Sequence, residues 1–546
     1  MSAVSTHAVT NQPPPLTGHN AFRGDPLLLR LTHGLDANVL EELDRIGRFV
    51  QSAEAQDLAR LANENPPRLR THDRQGHRLD QVEFHPAWHA LMRRSVSYGL
   101  SSSVWEDIAR GAGEGHLARA ARFYLMAGLE TGHLCPLTMT SASFAALMVE
   151  PRLAREWGPR LSTRKYDLSH RPPDHKSGLL IGMGMTEKQG GSDLSGMATR
   201  AEPAGGGLHR LTGHKWFLSA PMSDAFVVLA RTDAGITCFL VPRILSGGEP
   251  NRLHFQRLKD KLGNRSNASA EVEFGGAVGQ RVGEEGGGLR AILEMVTLTR
   301  LDCALASAGI MRAGLAEAVH HARRRKVRGG ALIDQPLMTR VLADMAIDVA
   351  AATALSFRLA RAYDAARGDA GEGAFARAMT PVVKYWVCKA APPLLAEAME
   401  CLGGNGYVEE MVLARHYREA PVNSIWEGSG NVMALDLLRV FKRSEATLEA
   451  ILDGLARDLG ARADKTINVI RAALSLAAED EGAARIATEQ LALAAAAAEL
   501  ERLGMGGLAG AFADTRLGGA WRATYGMLDG RFDARTLLDA LYPPVN

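Results

Sequence analysis

Four separated stretches of this 546-residue chain carry residue types that can do chemistry. In Asn423-Ser424-Ile425-Trp426-Glu427-Gly428-Ser429-Gly430-Asn431 an acid stands between a tryptophan and glycines. A carboxylate held against an indole and away from water has a raised pKa and can exchange a proton near neutral pH. At the mouth of a new helix the same acid can serve as an N-terminal cap. In Gly182-Met183-Gly184-Met185-Thr186-Glu187-Lys188-Gln189-Gly190-Gly191-Ser192-Asp193, small residues, hydroxyls and open backbone amides suit a flat ring and a pyrophosphate, or form a glycine-rich turn. Gly213-His214-Lys215-Trp216-Phe217-Leu218-Ser219 reads as a strand, its Trp216 a core anchor or a cofactor wall. Glu400-Cys401-Leu402-Gly403-Gly404-Asn405-Gly406-Tyr407 reads as a helix C-cap and turn.

Other chemistries are excluded. There is no GxxxxGK[ST] phosphate loop, HExxH metal site or GxSxG nucleophile elbow. Gly182-Met183-Gly184 lacks the third glycine of a dinucleotide fingerprint and leads into β structure. A net charge of +2 excludes a bulk polycation that grips nucleic acid by charge alone. Cys135, Cys238, Cys303, Cys388 and Cys401 are scattered and never form CxxC, so a reducing compartment is expected and a disulfide framework or metal site is not. The opening residues lack a signal pattern, and no apolar run approaches the roughly 20 residues of a membrane span. A cytoplasmic protein with no membrane partner is the expectation.

The elements that must position these stretches follow from periodicity. Residues 1–35 read as an irregular arm. Helix-period segments such as 115–127 and 142–156 dominate 36–178. Between 179 and 288 come short β-rich runs, 208–218, 225–231, 236–242 and 269–274, separated by turns such as Gly205-Gly206-Gly207. Long helical segments at 289–324, 335–368 and 374–402 can build a four-helix bundle over 289–440. The remainder, 441–546, reads as helical, and its alanine-rich 491–500 as packed helix.

The four stretches, in this order, resemble the acyl-CoA dehydrogenase family over roughly residues 40–440. The family pattern is a TE-x-x-x-GSD loop, a G-x-K-x-W strand, a GGxGY turn and an EG[TS] loop. Thr186-Glu187 with Gly191-Ser192-Asp193, Gly213 with Lys215 and Trp216, Gly403-Gly404 with Gly406-Tyr407, and Glu427-Gly428-Ser429 carry the likeness. The resemblance implies an α+β fold: an N-terminal helical domain, a central β-barrel and a C-terminal four-helix bundle, here with a helical extension.

It further implies bound FAD. Met183, Gly184, Met185, Thr186, Gly191 and Ser192 would hold the ring and phosphates, and Trp216, Phe217, Leu218 and Ser219 would cover the isoalloxazine. Gly403, Gly404, Ile425, Trp426, Gly428, Ser429 and Asn431 would complete the site. Arg325 and Gln335 would reach the adenylate end of a neighbouring subunit's FAD, in a homotetramer built as a dimer of dimers. The family's R-x-x-F-G is here Arg325-Lys326-Val327-Arg328-Gly329, with an arginine in place of the aromatic. Glu427 is implied as the catalytic base, taking an α-proton while a β-hydride leaves for flavin N5. In some members the base precedes a helix arginine, a place held here by Thr299 before Arg300.

Residues 60–67, 84–89, 134–140, 259–269 and 421–430 are similar to the AidB-like, alkylation-response branch of the family, and Lys188-Gln189-Gly190 replaces the usual Pro-x-Ala. That likeness implies binding of double-stranded DNA, protection from alkylating agents and weak dehydrogenase activity on an isovaleryl-type acyl-CoA, or action on an alkylated small molecule. An ordinary catabolic dehydrogenase and a non-catalytic flavin-stabilised DNA scaffold are the alternatives. From residue 441 onward there are twelve basic and fifteen acidic residues, net −3, so DNA contact needs segregated charge. Arg439, Lys442 and Arg443 share a helix face at i, i+3 and i+4, with Arg516 and Arg522 as further candidates.

Overall fold

A computed structural model describes residues 6–517 and 532–544. The expected irregular arm contains a helix, Pro26–Leu31, capped by the Asp25 carboxylate on the Leu28 amide with proline in the first turn. Ala37–Val50 and Ala53–Glu64 are capped likewise by Asp36 and Ser52. A hairpin of β1 (Arg68–His72) and β2 (Arg78–Glu83) follows, which the helical periodicity of this region did not announce. Gly115–Leu129 and Leu134–Leu147 are buried on nearly all sides.

The central β unit comprises β3 (Ile181–Gly184), β4 (Arg200–Gly205), β5 (Leu208–Ser219), β6 (Ala225–Thr232), β7 (Gly235–Pro242), β8 (Leu253–Leu258) and β9 (Ser269–Val282). The order is β3-β5-β4-β6-β7-β9-β8, and β5 also pairs with β9. That second pairing, with β3 bridging β5 and β6 through Ile181–Gly184 against 225–228, closes the strands into a barrel and leaves β8 flanking β9. Period-two alternation assigns the faces. Along β6, Phe226, Val228 and Ala230 enter the barrel core with Leu218, Phe255 and Phe274. Ala225, Val227 and Leu229 face outward onto Met139, Ala142, Ile292 and Met295 of the helical units. Both faces of this strand are therefore buried.

The bundle is built on Gly288–Arg324, Pro336–Ala365 and Ala370–Cys401, of 37, 30 and 32 residues. Val412–Asn423 and Gly430–Arg443 pack against the last of these. A short hairpin, β10 (Lys326–Val327) with β11 (Gly330–Ala331), joins the first two. Beyond residue 444, Glu445–Leu459, Ala463–Glu479 and Ala484–Arg502 continue the helical character. The alanine-rich run is packed helix: Ala492 and Ala494–Ala498 are buried.

Arg516 does not belong to a DNA-facing surface. Its guanidinium is buried, donating from Nη1 to Asp344 Oδ1 at 2.7 Å and from Nε to Asp348 Oδ1 at 2.9 Å. Two aspartates from the Pro336–Ala365 helix claim the charge that the sequence reading offered to phosphate. Arg522 lies outside the described residues. Arg439, Lys442 and Arg443 are exposed on the last turns of Gly430–Arg443 and form no ion pair among the described residues. No helix among the described residues is long and apolar enough to cross a membrane.

Candidate active site

The Val412–Asn423 helix ends in a tight turn that delivers Glu427 before the next helix opens at Gly430. Glu427 has φ +58° and Gly428 φ +104°. A non-glycine residue in the left-handed region costs energy and persists only where its surroundings fix it. Here they do. Arg300 Nε donates to the Glu427 carbonyl at 2.9 Å while its Nη1 pairs with Asp436 at 2.8 Å. Lys384 Nζ donates to the Trp426 carbonyl at 2.8 Å and to the Gly428 carbonyl. Glu427 does not cap the following helix.

The Glu427 side chain meets Thr299. Oγ1 of Thr299 lies 2.8 Å from Glu427 Oε2 and 2.9 Å from the carbonyl of Val296. A hydroxyl has one proton and two lone pairs. It can donate to the ionised carboxylate, or accept from the protonated one while donating to Val296. Burial raises the Glu427 pKa, opposed by the Thr299 hydrogen bond and the charges of Arg300 and Lys384.

Glu427, Trp426, Asn423, Thr299 and Ser219 line a cavity of about 60 Å³, walled by Phe123, Leu134, Cys135, Met139 and Ala306. Asp302 and Thr138 also border it. Asp302 receives Arg119 through two bonds of 2.6 and 2.8 Å and the Thr138 hydroxyl at 2.7 Å, so its charge is fully partnered. Burial holds the Cys135 thiol protonated, its pKa pushed up to about 12, and likewise raises the Cys303 thiol well above its ordinary value.

The flavin-side stretches meet one another on the β unit, and of their residues Ser219 alone lines this cavity. Met183 on β3 pairs with Ser219 on β5, and the Trp216 amide donates to the Thr186 carbonyl at 2.8 Å. Beneath them Lys215 Nζ reaches Glu187 Oε1 at 2.6 Å, both side chains buried. Burial alone would raise the Glu187 pKa, but the hydrogen bond and charge of Lys215 outweigh it and bring it down to about 2. Gly191 is needed for space: a Cβ there would stand 2.4 Å from Thr186 Oγ1. Trp216 and Phe217 fall in a bulge of β5. Lys259 Nζ stands 3.3 Å from the Trp216 ring centre, while Phe217 is 45% exposed.

These residues fit a flavin. Ser192 is exposed on the 186–192 loop, and two cavity-lining polar atoms, Trp426 Nε1 and Asn423 Oδ1, are buried without hydrogen-bond partners among the described residues. Ile425, 65% exposed, Gly428, Ser429 and Asn431 surround the Glu427 turn.

Arg325, Gln335, Gly403 and Gly404 do not line this cavity. Arg325 donates to the carbonyl of Asn11, Gln335 starts the Pro336–Ala365 helix, and Gly403 (φ +61°) and Gly404 are exposed beside Tyr407, 81% exposed. Lys384 and Asp436 escaped the sequence reading. The available signal was a lysine and an aspartate at buried positions of otherwise apolar helices.

Comparison with known proteins agrees with this geometry. Residues 11–168 match the family "Adaptive response protein AidB N-terminal domain", 182–277 "Acyl-CoA dehydrogenase, middle domain" and 286–441 "Acyl-CoA dehydrogenase, C-terminal domain". The chain is 33% identical to acyl-CoA dehydrogenase family member 11 of Caenorhabditis elegans, over 80% of this chain and 72% of that one. The solved structure of C. elegans ACDH-11 in complex with C11-CoA superposes with a TM-score of 0.82 at 27% identity, covering 99% of this chain and 95% of the other. AidB of Escherichia coli (strain K12) is 47% identical over 91% of both chains. This chain therefore belongs to the acyl-CoA dehydrogenase family of FAD-dependent oxidoreductases, in its AidB-like branch.

Proposed function

We propose that this oxidoreductase removes hydrogen from Cα and Cβ of a short acyl-CoA, with Glu427 as the base. The observation that carries the reading is the Glu427 carboxylate itself: half-buried, held in a left-handed turn and bordering a small cavity with Ser219. FAD, when bound, supplies a two-electron acceptor for the β-hydride. Glu427 takes the α-proton, and burial, which raises its pKa, makes it a stronger base than an ordinary carboxylate. The backbone amide of Glu427 donates to no acceptor among the described residues. It is free to receive a thioester carbonyl as negative charge develops there. Leu134, Met139 and Phe123 exclude water, and the Arg119–Asp302–Thr138 cluster closes one side of the cavity, which suits a short acyl chain. Anaerobic titration of the yellow protein with straight and branched acyl-CoAs tests this. Short thioesters should bleach the flavin; bleaching by none would overturn the reading.

A second activity, docking on double-stranded DNA to limit alkylation damage, is supported by one observation. Arg439, Lys442 and Arg443 stand exposed and unpaired among the described residues, whereas Arg462, Arg471, Arg502 and Arg535 are each engaged by acids. Alkyl capture by the cavity thiols is disfavoured, because burial keeps them protonated and unreactive. A tetramer in which Arg325 and Gln335 reach a neighbour's FAD is supported by large exposed apolar residues beside these positions, Val327 and Leu337, and by Tyr407 and Val408 beside the glycine turn.

A further inference from the structure

Lys384 is 1% exposed, yet no carboxylate lies within ion-pair distance of its ammonium among the described residues. A buried cation without an acid is costly unless it is fully used. Its hydrogen bonds go to the carbonyls of Trp426 and Gly428, the residues on either side of Glu427, while Arg300 takes the carbonyl of Glu427 itself. Three successive carbonyls are thus gripped by two cations from different helices. With them turned toward the helices, the intervening residue is held at φ +58° with its carboxylate on Thr299.

We propose that Lys384 is the positioning residue of the catalytic turn: it clamps the peptides flanking Glu427, fixes the left-handed conformation, and supplies the positive charge against which that carboxylate ionises. This rests on Glu427 being the base. The charged and titratable groups facing the turn are few. Arg300, Asp302 and Cys303 come from Gly288–Arg324, Lys384, Cys388 and the Asp436 partner Arg377 from Ala370–Cys401, Cys135 from Leu134–Leu147, and Asp436 from Gly430–Arg443. Arg300 shares Asp436 with Arg377, at 2.8 and 2.7 Å, so Arg300 and Lys384 both present positive charge to the base, and of the two only Lys384 has no carboxylate partner among the described residues. Removing it must raise the Glu427 pKa further.

The test uses the FAD-loaded protein and Lys384→Met, Lys384→Gln and Lys384→Arg, with Glu427→Gln to identify the infrared carboxyl band of Glu427. In wild type this band titrates at one pH. In Lys384→Met it should move up by at least one unit, and in Lys384→Arg it should return toward wild type. Flavin bleaching by a short acyl-CoA should shift its pH midpoint in parallel, with kcat falling more than KM rises. An unmoved carboxyl band in a folded, yellow Lys384→Met or Lys384→Gln protein overturns the proposal. Should wild type fail to bleach with any acyl-CoA, the dehydrogenase reading falls, while the infrared shift still decides the role of Lys384.

Discussion

Thr299 and Glu427, 128 residues apart, share a hydrogen bond of 2.8 Å at the border of the cavity. Thr299 holds the position before Arg300 that the family resemblance offers as an alternative place for the base, and in this chain it meets the Glu427 carboxylate as a hydroxyl partner. Losing a hydrogen bond to a charged acceptor costs about 1.5–3 kcal/mol, or roughly one to two pH units. Thr299→Val should therefore move the acid limb of the bleaching profile upward by about one unit. An unchanged limb would show that the hydroxyl does not serve the base.

Glu427→Gln keeps the shape of the turn and removes the proton acceptor. Bleaching should slow by about 10²–10⁴-fold, the usual contribution of a general base, with FAD content unchanged. Stopped-flow absorbance of the flavin band reads this directly.

Glu187 and Lys215 lock the flavin-side loop to β5. The Glu187 pKa is brought down to about 2 in the folded protein, below the ordinary carboxylate value. Its stabilisation is therefore full above about pH 4.5 and fades as pH falls toward 2. Lys215→Met leaves a buried carboxylate without its cation and should cost about 3 kcal/mol or more. The melting temperature should drop, and the steep loss of wild-type stability below pH 4.5 should flatten. A variant with the wild-type acid profile would refute the assignment.

Charge reversal at Arg439, Lys442 and Arg443 should weaken duplex binding and reduce the slope of log affinity against log salt by about 0.9 per lost phosphate contact. Arg516→Ala should instead leave that slope alone and destabilise the fold by about 3–5 kcal/mol, since a buried ion-pair partner of Asp344 and Asp348 is removed. Fluorescence anisotropy at several salt concentrations, beside thermal melts, separates the two.

The order of elements was legible because the period changes from helical to alternating and back, and each long helix keeps its pattern over many turns. Glu427 was legible because Trp-Glu-Gly-Ser sets an acid among residues that bend the chain. Lys384 was not. Its worth depends on which helix face opposes the 426–428 turn, 42 and 44 residues away. Arg516 was misread for the same reason: its aspartates lie 168 and 172 residues off in sequence, and charge counting sees an arginine, never its distant claimant. The hairpin at 68–83 eluded periodicity because both strands are short and largely exposed.

The Ala484–Arg502 helix has a further consequence. It lies against Pro336–Ala365, Ala370–Cys401 and Gly430–Arg443, burying a run of methyl groups between them. Small side chains let backbones approach closely, so little else could fill that seam. A chain severed after residue 443 would bare an apolar flank on the very helices that carry Lys384, and it should clump or shed its yellow colour before any question of DNA arises. The appendage is thus masonry for the catalytic floor, whatever else its outer surface touches.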